Sequence, residues 1–285
     1  MKVLYAIQAT GNGHISRARD IIPVLQQKCE LDILISGTQA DVVLPYEIKY
    51  RYKGMSLLYN RKGSLDFTKT VRQISLKHFL KEVKEVPVEG YDLVINDFEP
   101  VTAWACKKKK IPCISLSHQA AVINKFSPKP AIKNILGTLV LKHFAPCAES
   151  IGFHFQPYDK NIFTPVIRSE IRNSVPLTKD YYTVYLPGYS HEVLLRKLSK
   201  LKKVQWHIFS KEIKEELQIE NFYTRSIKNE TFIESLVNCK GVLCGAGFEL
   251  PAEALFLQKK LIVIPLSGQY EQQCNAAALQ KMGVP

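Results

Sequence analysis

What most limits the fold of this chain is an alternation of short apolar runs with helical stretches, and it occurs twice. The first series reads strand-like at Lys2 to Ala9, helical from Ile15, strand-like at Leu31 to Ser36 and at Ile48 to Tyr52, and helical and polar over Leu65 to Lys84. It goes on through strand-like Leu93 to Asn96, a helix over Val101 to Lys109, and Cys113 to Leu116. Short apolar runs separated by helices build βαβ units around a parallel sheet. The second series starts near Tyr181 with YTVYLPG and a helix over His191 to Leu201. QWHIFS, NFYTRS, a short helix over Thr231 to Val237, GVLCG, a further helix and LIVIPL follow. Between the series, Pro157, Pro165 and Pro176 with Asn161, Asn173 and Ser174 break any periodicity. The reading is α/β, with a Rossmann-like domain over 1–156, a linker over 157–178 and a second Rossmann-like domain over 179–285. A length of 285 residues suits two domains better than one core.

Composition removes several classes. With 46% hydrophobic and 23% charged residues and a mean hydropathy of -0.08, neither disorder nor a fibrous repeat fits. No apolar run reaches the ~18 to 20 residues of a membrane span, and Met1-Lys2 leads straight into VLYAIQA without a cleavage region. The seven cysteines are scattered and never form C-x-x-C, which predicts neither a disulfide frame nor a zinc site and points to a reducing cytoplasm. A net charge of +13 favours anionic ligands, but no basic stripe interleaved with aromatics suggests nucleic acid.

In a Rossmann-like domain ligands gather at the carboxyl ends of the strands. The first such loop is Thr10-Gly11-Asn12-Gly13-His14. Its glycines let backbone amides approach an anion at a helix start, while Ser16 or Arg17 stands where a dinucleotide fingerprint needs its third glycine. His14 is suited to take a proton from a hydroxyl, or to cap the helix and bind an anion. Asp97, closing LVIN, can hold the far nitrogen of that ring or cap the helix that begins near Pro100, with Glu99 a nearby substitute. In the second half, Gly245-Ala246-Gly247 ends a strand and opens a helix, a nest of amides for a diphosphate. Glu253 follows on that helix, either as an acceptor for ribose hydroxyls or as a solvated carboxylate. After LIVIPL, the cluster Ser267-Gly268-Gln269-Tyr270-Glu271-Gln272-Gln273 concentrates groups suited to sugar hydroxyls.

With these residues in hand, the chain resembles inverting, nucleotide-sugar-dependent glycosyltransferases of the GT-B fold, in which two Rossmann-like domains face each other across a cleft. It is similar to the MurG-type N-acetylglucosaminyltransferases and to the UDP-glucuronosyl- and UDP-glucosyltransferases. GNGHISRAR, NDFEP and SLSHQAA look most like a group of bacterial and archaeal glycosyltransferase sequences. The resemblance implies His14 as the base, with Asp97 orienting it by position rather than by motif. It implies the amides of Gly245, Ala246 and Gly247 on the diphosphate, Glu253 on the ribose, and Gly268, Glu271, Gln272 and Gln273 around the donor sugar. Gly11, Asn12 and Gly13 form an acceptor or phosphate loop, and His118 and Gln119, after a first-domain strand, are acceptor contacts. The implied donor is a UDP-sugar acting as co-substrate, with no cofactor and no metal, and the acceptor is a hydroxyl compound, lipid-linked in one version. Relatives of this kind continue past the point where this chain ends at Pro285, so the second domain reads as shortened.

Two other functions use such a chain: a UDP-sugar 2-epimerase of the same fold, and a non-catalytic binder of nucleotide sugars or anionic lipid. The stretch Pro128 to Phe144 places Ile132, Ile135, Leu136, Leu139, Val140 and Phe144 on one helical face. Burial in the first domain is the commoner use of such a face. The other is interfacial, and with Lys107 to Lys110 it would dock the protein peripherally on the inner, anionic face of a membrane.

Overall fold

A computed structural model describes residues 1–37, 44–55, 75–132 and 134–285, so the first ten residues of the helix expected over Leu65 to Lys84 lie outside it. The described residues form two compact units, one ending at Arg168 and the other running from Ser169 to Pro285. The division falls inside the stretch 157–178, which carries a short strand and a helical turn of its own.

The first unit is built on strands β1 (Lys2–Gln8), β2 (Glu30–Ser36), β3 (Tyr50–Tyr52), β4 (Leu93–Asp97), β5 (Cys113–Ser117), β6 (Glu149–Phe153) and β7 (Ile162–Phe163). They lie in the order β3-β2-β1-β4-β5-β6-β7, every neighbouring pair parallel. Leu4, Tyr5, Ala6 and Ile7 of β1 are fully buried, as expected for a central parallel strand covered on both faces. The helices are α1 (Asn12–Gln26), α2 (Leu76–Glu85), α3 (Pro100–Lys109), α4 (His118–Ile123) and α5 (Ile135–His143). Phe79 and Val83 of α2 and Val101 and Ala105 of α3 share one core with Leu4, Leu34 and Val94 of the sheet. At Gly152 in β6 a Cβ would come within 2.7 Å of the Ala121 backbone nitrogen, so only glycine lets α4 lie this close to the strand.

The second unit opens with α6 (Ser169–Arg172) and carries β8 (Tyr182–Tyr185), β9 (Trp206–Phe209), β10 (Leu217–Ile219), β11 (Phe222–Arg225), β12 (Gly241–Gly245) and β13 (Lys260–Ile264). Their order is β10-β11-β9-β8-β12-β13, parallel except for the β10–β11 hairpin. Helices α7 (His191–Leu198), α8 (Asn229–Asn238), α9 (Glu249–Phe256) and α10 (Tyr270–Lys281) connect them.

Burial of the apolar face between Pro128 and Phe144 is the expectation the structure corrects. The helix there is only α5, nine residues long, and it turns Leu141 inward, with Phe144 buried just beyond its end. Ile132 is 84% exposed and Ile135 74%, with Leu136 and Leu139 also open, as are the nearby Ile123 and Phe126. Asn134 caps the helix and Pro128 and Pro130 precede it, so a long helix able to wrap its whole stripe onto the sheet does not form. Of the cysteines, Cys106, Cys113, Cys239, Cys244 and Cys274 are buried as small core residues.

Candidate active site

In the first sheet β1 and β4 are neighbours whose following helices lead away in opposite directions along the strand order. Such a topological switch point leaves a crevice at the carboxyl ends of the two strands. The loop Thr10 to Gly13 leaves β1 there, and Asp97 is the last residue of β4. His14 lies in the first turn of α1, and its Nδ1 is 2.8 Å from Asp97 Oδ1. Asp97 is fully buried, while the His14 side chain keeps 13% of its surface open.

A third residue, missed as a partner in the sequence, completes the group. Arg17 lies one turn beyond His14 on the same helix face, the i,i+3 spacing that brings side chains together. It is 3% exposed. Its Nη2 donates to Asp97 Oδ1 at 2.7 Å and Oδ2 at 2.8 Å, and its Nε donates to Oδ2 at 3.2 Å. The same Nη2 is 3.0 Å from His14 Nδ1. Burial alone would raise the Asp97 carboxyl. The Arg17 charge, and after it His14, outweighs burial and holds the group below the usual carboxylate range. Of the two contacts at Nδ1, the shorter one, to the Asp97 carboxylate, favours the tautomer in which Nδ1–H donates to Asp97 and Nε2 is left as the acceptor.

The turn after β4 divides the two acids by role. Glu99 accepts from the backbone N–H groups of Val101 and Thr102, each at 2.7 Å, and from the Ser36 hydroxyl at 2.6 Å, so Glu99 is the cap of α3 and Asp97 is freed for His14. Burial pushes the Glu99 carboxyl up, against the pull of these donors. Phe98 between them has a φ of 58°, a left-handed conformation costing a non-glycine residue about 1–2 kcal/mol. The strained turn sets its ring parallel to His14, with centroids 6.3 Å apart, and against Phe144 at 4.9 Å.

His118 and Gln119 begin α4 and are both buried, and His118 Nδ1–H donates to the Phe153 carbonyl at 2.8 Å. Beside them His154 accepts from the Phe155 N–H. Burial, then the charges of His118 and Lys129, lower it to about 2, so the His154 ring stays neutral in the core.

The second unit repeats the switch point between β8 and β12. Gly245 ends β12, and a Cβ at Gly247 would meet nothing within 4 Å, so the backbone there is open to a ligand. The loop is held from below by Asn275, wholly buried, whose Nδ2 donates to the Ala246 carbonyl at 3.0 Å. Glu253 is 2% exposed, which removes the reading of a solvated helix carboxylate. After β13, the turn holding Gly268 is tied to α10 by side chains. Gln272 Oε1 accepts from the Leu266 N–H at 3.0 Å, and Gln273 Nε2 donates to the Ser267 carbonyl. Glu271 stands half-buried in the first turn of α10. Helices α1, α9 and α10, which follow these three loops, start at Gly11, Phe248 and Gln269 without a side-chain cap, and each helix start carries the positive end of its dipole.

Two doubly wound units in one chain are the architecture of the GT-B fold. The chain belongs to Glycosyl transferase family 1, whose model matches residues 1–285. No curated protein sequence matches it significantly. Among solved structures it is similar to Phytolacca americana UGT2 complexed with UDP-2fluoro-glucose and pterostilbene. That match has a TM-score of 0.62 at 11% identity and covers 98% of this chain and 83% of the other. MurG of Acinetobacter baumannii matches with a TM-score of 0.56 at 16% identity, covering 99% and 84%. The glycosyltransferase SsfS6 of Streptomyces sp. SF2575, complexed with thymidine diphosphate, matches with a TM-score of 0.56 at 13% identity, covering 100% and 96%. Among the described residues no helix is long and apolar enough to cross a membrane.

Proposed function

We propose that this glycosyltransferase works by inversion without a metal, moving a sugar from a UDP donor to a hydroxyl acceptor with His14 as the general base. The observation that carries this reading is the Nδ1 contact of His14 with Asp97, which leaves Nε2 as the proton acceptor. In the single displacement, Nε2 takes the acceptor's hydroxyl proton as its oxygen bonds to the anomeric carbon. The bond from that carbon to the β-phosphate oxygen breaks, and UDP departs with its electron pair. Amides at Gly245 to Gly247 and the start of α9 stabilise the growing diphosphate charge. Glu253 holds the ribose hydroxyls. Gln272 and Gln273 exchange their present bonds within the 266–269 turn for hydroxyls of the donor sugar, beside Gly268 and Glu271.

Thermal denaturation against UDP, dTDP, GDP and CDP tests the donor. A ligand at ~100 times its dissociation constant adds about 2.7 kcal/mol, or roughly 5 °C or more for a chain of this size. UDP is expected to raise Tm selectively, and Glu253→Ala to remove most of the rise. A flat panel overturns the UDP assignment, and a full UDP shift in the variant overturns the ribose contact.

The exposed face of α5 supports an anionic lipid surface as the second partner, with a lipid-linked acceptor. Residues 100–148 contain eight lysines and no acidic residue. Among them Lys125 and Lys142 are exposed around Phe126, Ile135, Leu136 and Leu139. Near an anionic bilayer each such lysine is worth about 1 kcal/mol, while the apolar side chains enter the headgroup boundary. The full chain is expected to sediment with phosphatidylglycerol vesicles at low salt and not with phosphatidylcholine vesicles, and Ile135→Glu/Leu139→Glu to stay in the supernatant. A parent chain that ignores anionic vesicles, or a variant that sediments as well as the parent, rules this surface out.

A further inference from the structure

We infer that Arg17 is a positioning residue that makes the free-base form of His14 the electrically balanced form of the buried group. The inference rests on His14 being the base. A histidine paired with a buried carboxylate alone is balanced as the imidazolium, because one proton cancels one negative charge. Here the guanidinium already cancels it. Its Nη2 is 2.7 Å from Asp97 Oδ1 and 3.0 Å from His14 Nδ1, so a proton added to the ring gives an unbalanced positive charge beside a fixed cation.

Among the described residues, the rings packed on the trio carry no charge. Facing the trio from β1 is Tyr5, whose phenol is pushed well above its ordinary value by burial and then by Asp97, so it stays neutral. From β6 the Phe153 ring covers the guanidinium at 5.9 Å, and Phe98 lies along His14; both are apolar. From β4 comes Asp97 itself, and from α1 His14 and Arg17.

Arg17 thus does two things through one side chain. It fixes both Asp97 oxygens, so that Oδ1 stays aimed at Nδ1 and the tautomer with a free Nε2 is kept. It also weakens the pull that Asp97 alone would exert toward the imidazolium, a form that cannot take a proton from an acceptor. A guanidinium meets this need because its planar fork reaches two carboxylate oxygens and still approaches the ring.

The test is ring-nitrogen NMR of His14 in the full-length, unliganded protein, its signal assigned by its loss in His14→Asn. Arg17→Met is expected to move the ring's titration midpoint upward by about one unit, a tenfold change in proton affinity. Arg17→Lys keeps the charge and should stay nearer the parent. Where a turnover assay is in hand, the acid limb of kcat/KM should move upward with the midpoint. Because Arg17→Met leaves Asp97 buried without its partner, a second comparison serves if it does not fold. Asp97→Asn is set against Asp97→Asn/Arg17→Met, which is an uncharged replacement, and the double variant should titrate at the higher pH. Equal midpoints within either pair overturn the inference. No donor enters these measurements, so a chain that fails to bind UDP yet shows the ordered midpoints would end the donor assignment and leave Arg17's role intact.

Discussion

Replacing His14 with alanine is expected to lower the rate of sugar transfer at least ~100-fold while leaving the affinity for UDP nearly unchanged. The size follows from what is removed. General-base catalysis contributes typically ~10²- to 10⁴-fold, and the ring is fixed in the tautomer that can supply it by a 2.8 Å bond to Asp97. The selectivity follows from placement, since His14 belongs to the first unit, whereas Gly245, Glu253 and the start of α10 belong to the second. A loss confined to kcat with the UDP thermal shift intact matches a base. A loss of UDP binding of the same size would instead make His14 an anion ligand of the Gly11 to Gly13 loop, and unchanged turnover would remove it from the reaction. His14→Gln separates packing from chemistry, because it keeps the bulk beside Phe98 and cannot act as a base. It should be as inactive as the alanine variant.

Much of the scaffold was legible in sequence because central parallel strands, buried on both faces, write themselves as continuous apolar runs. VLYAI, LVIN, GVLCG and LIVI all fall within strands of the structure. The ends of those runs locate the loops, and so His14, Asp97 and Gly245 to Gly247 could be picked out before any distance was known. Other features depend on contacts between segments far apart in the chain. Whether Asp97 or Glu99 caps α3 turns on a left-handed Phe98, a conformation that no residue type other than glycine or asparagine announces. Arg17 drew notice only with Ser16, as the pair standing near the third glycine of a nucleotide fingerprint, although its spacing of three from His14 was the available signal. The apolar stripe around α5 has a helical period whether it faces a core or a lipid surface, so periodicity could not choose. The two prolines before Asn134 were the local sign of a short helix. Asn275 carries no signal of its own in the sequence, yet it ties α10 to the Ala246 carbonyl, a bond between residues 29 apart in sequence.

The pair beneath the base should also dominate the stability of the first unit. Asp97→Ala leaves the Arg17 guanidinium buried with no carboxylate. Breaking a buried pair from one side costs about 3–5 kcal/mol, which for a unit of this size lowers Tm by roughly 10 °C or more. Asp97→Ala/Arg17→Met removes both charges and fills part of the space, so it should regain most of that loss, since an apolar replacement of a buried pair is often neutral. If the single and double variants melt together, the pair is not coupled and Asp97 is merely one more buried polar group. Acid supplies an independent check. Because the Asp97 carboxyl is held below its ordinary range in the folded chain, its contribution is fully present above the unfolded value of about 3.9 and is lost as pH falls through the lower folded value. The Tm difference between the parent and the double variant should therefore stay level from neutral pH down to about 5 and change only below about 4. A difference that already changes between pH 6 and 7 would place the titrating group elsewhere than on Asp97, and the thermal scans would then not report the pair that orients the base.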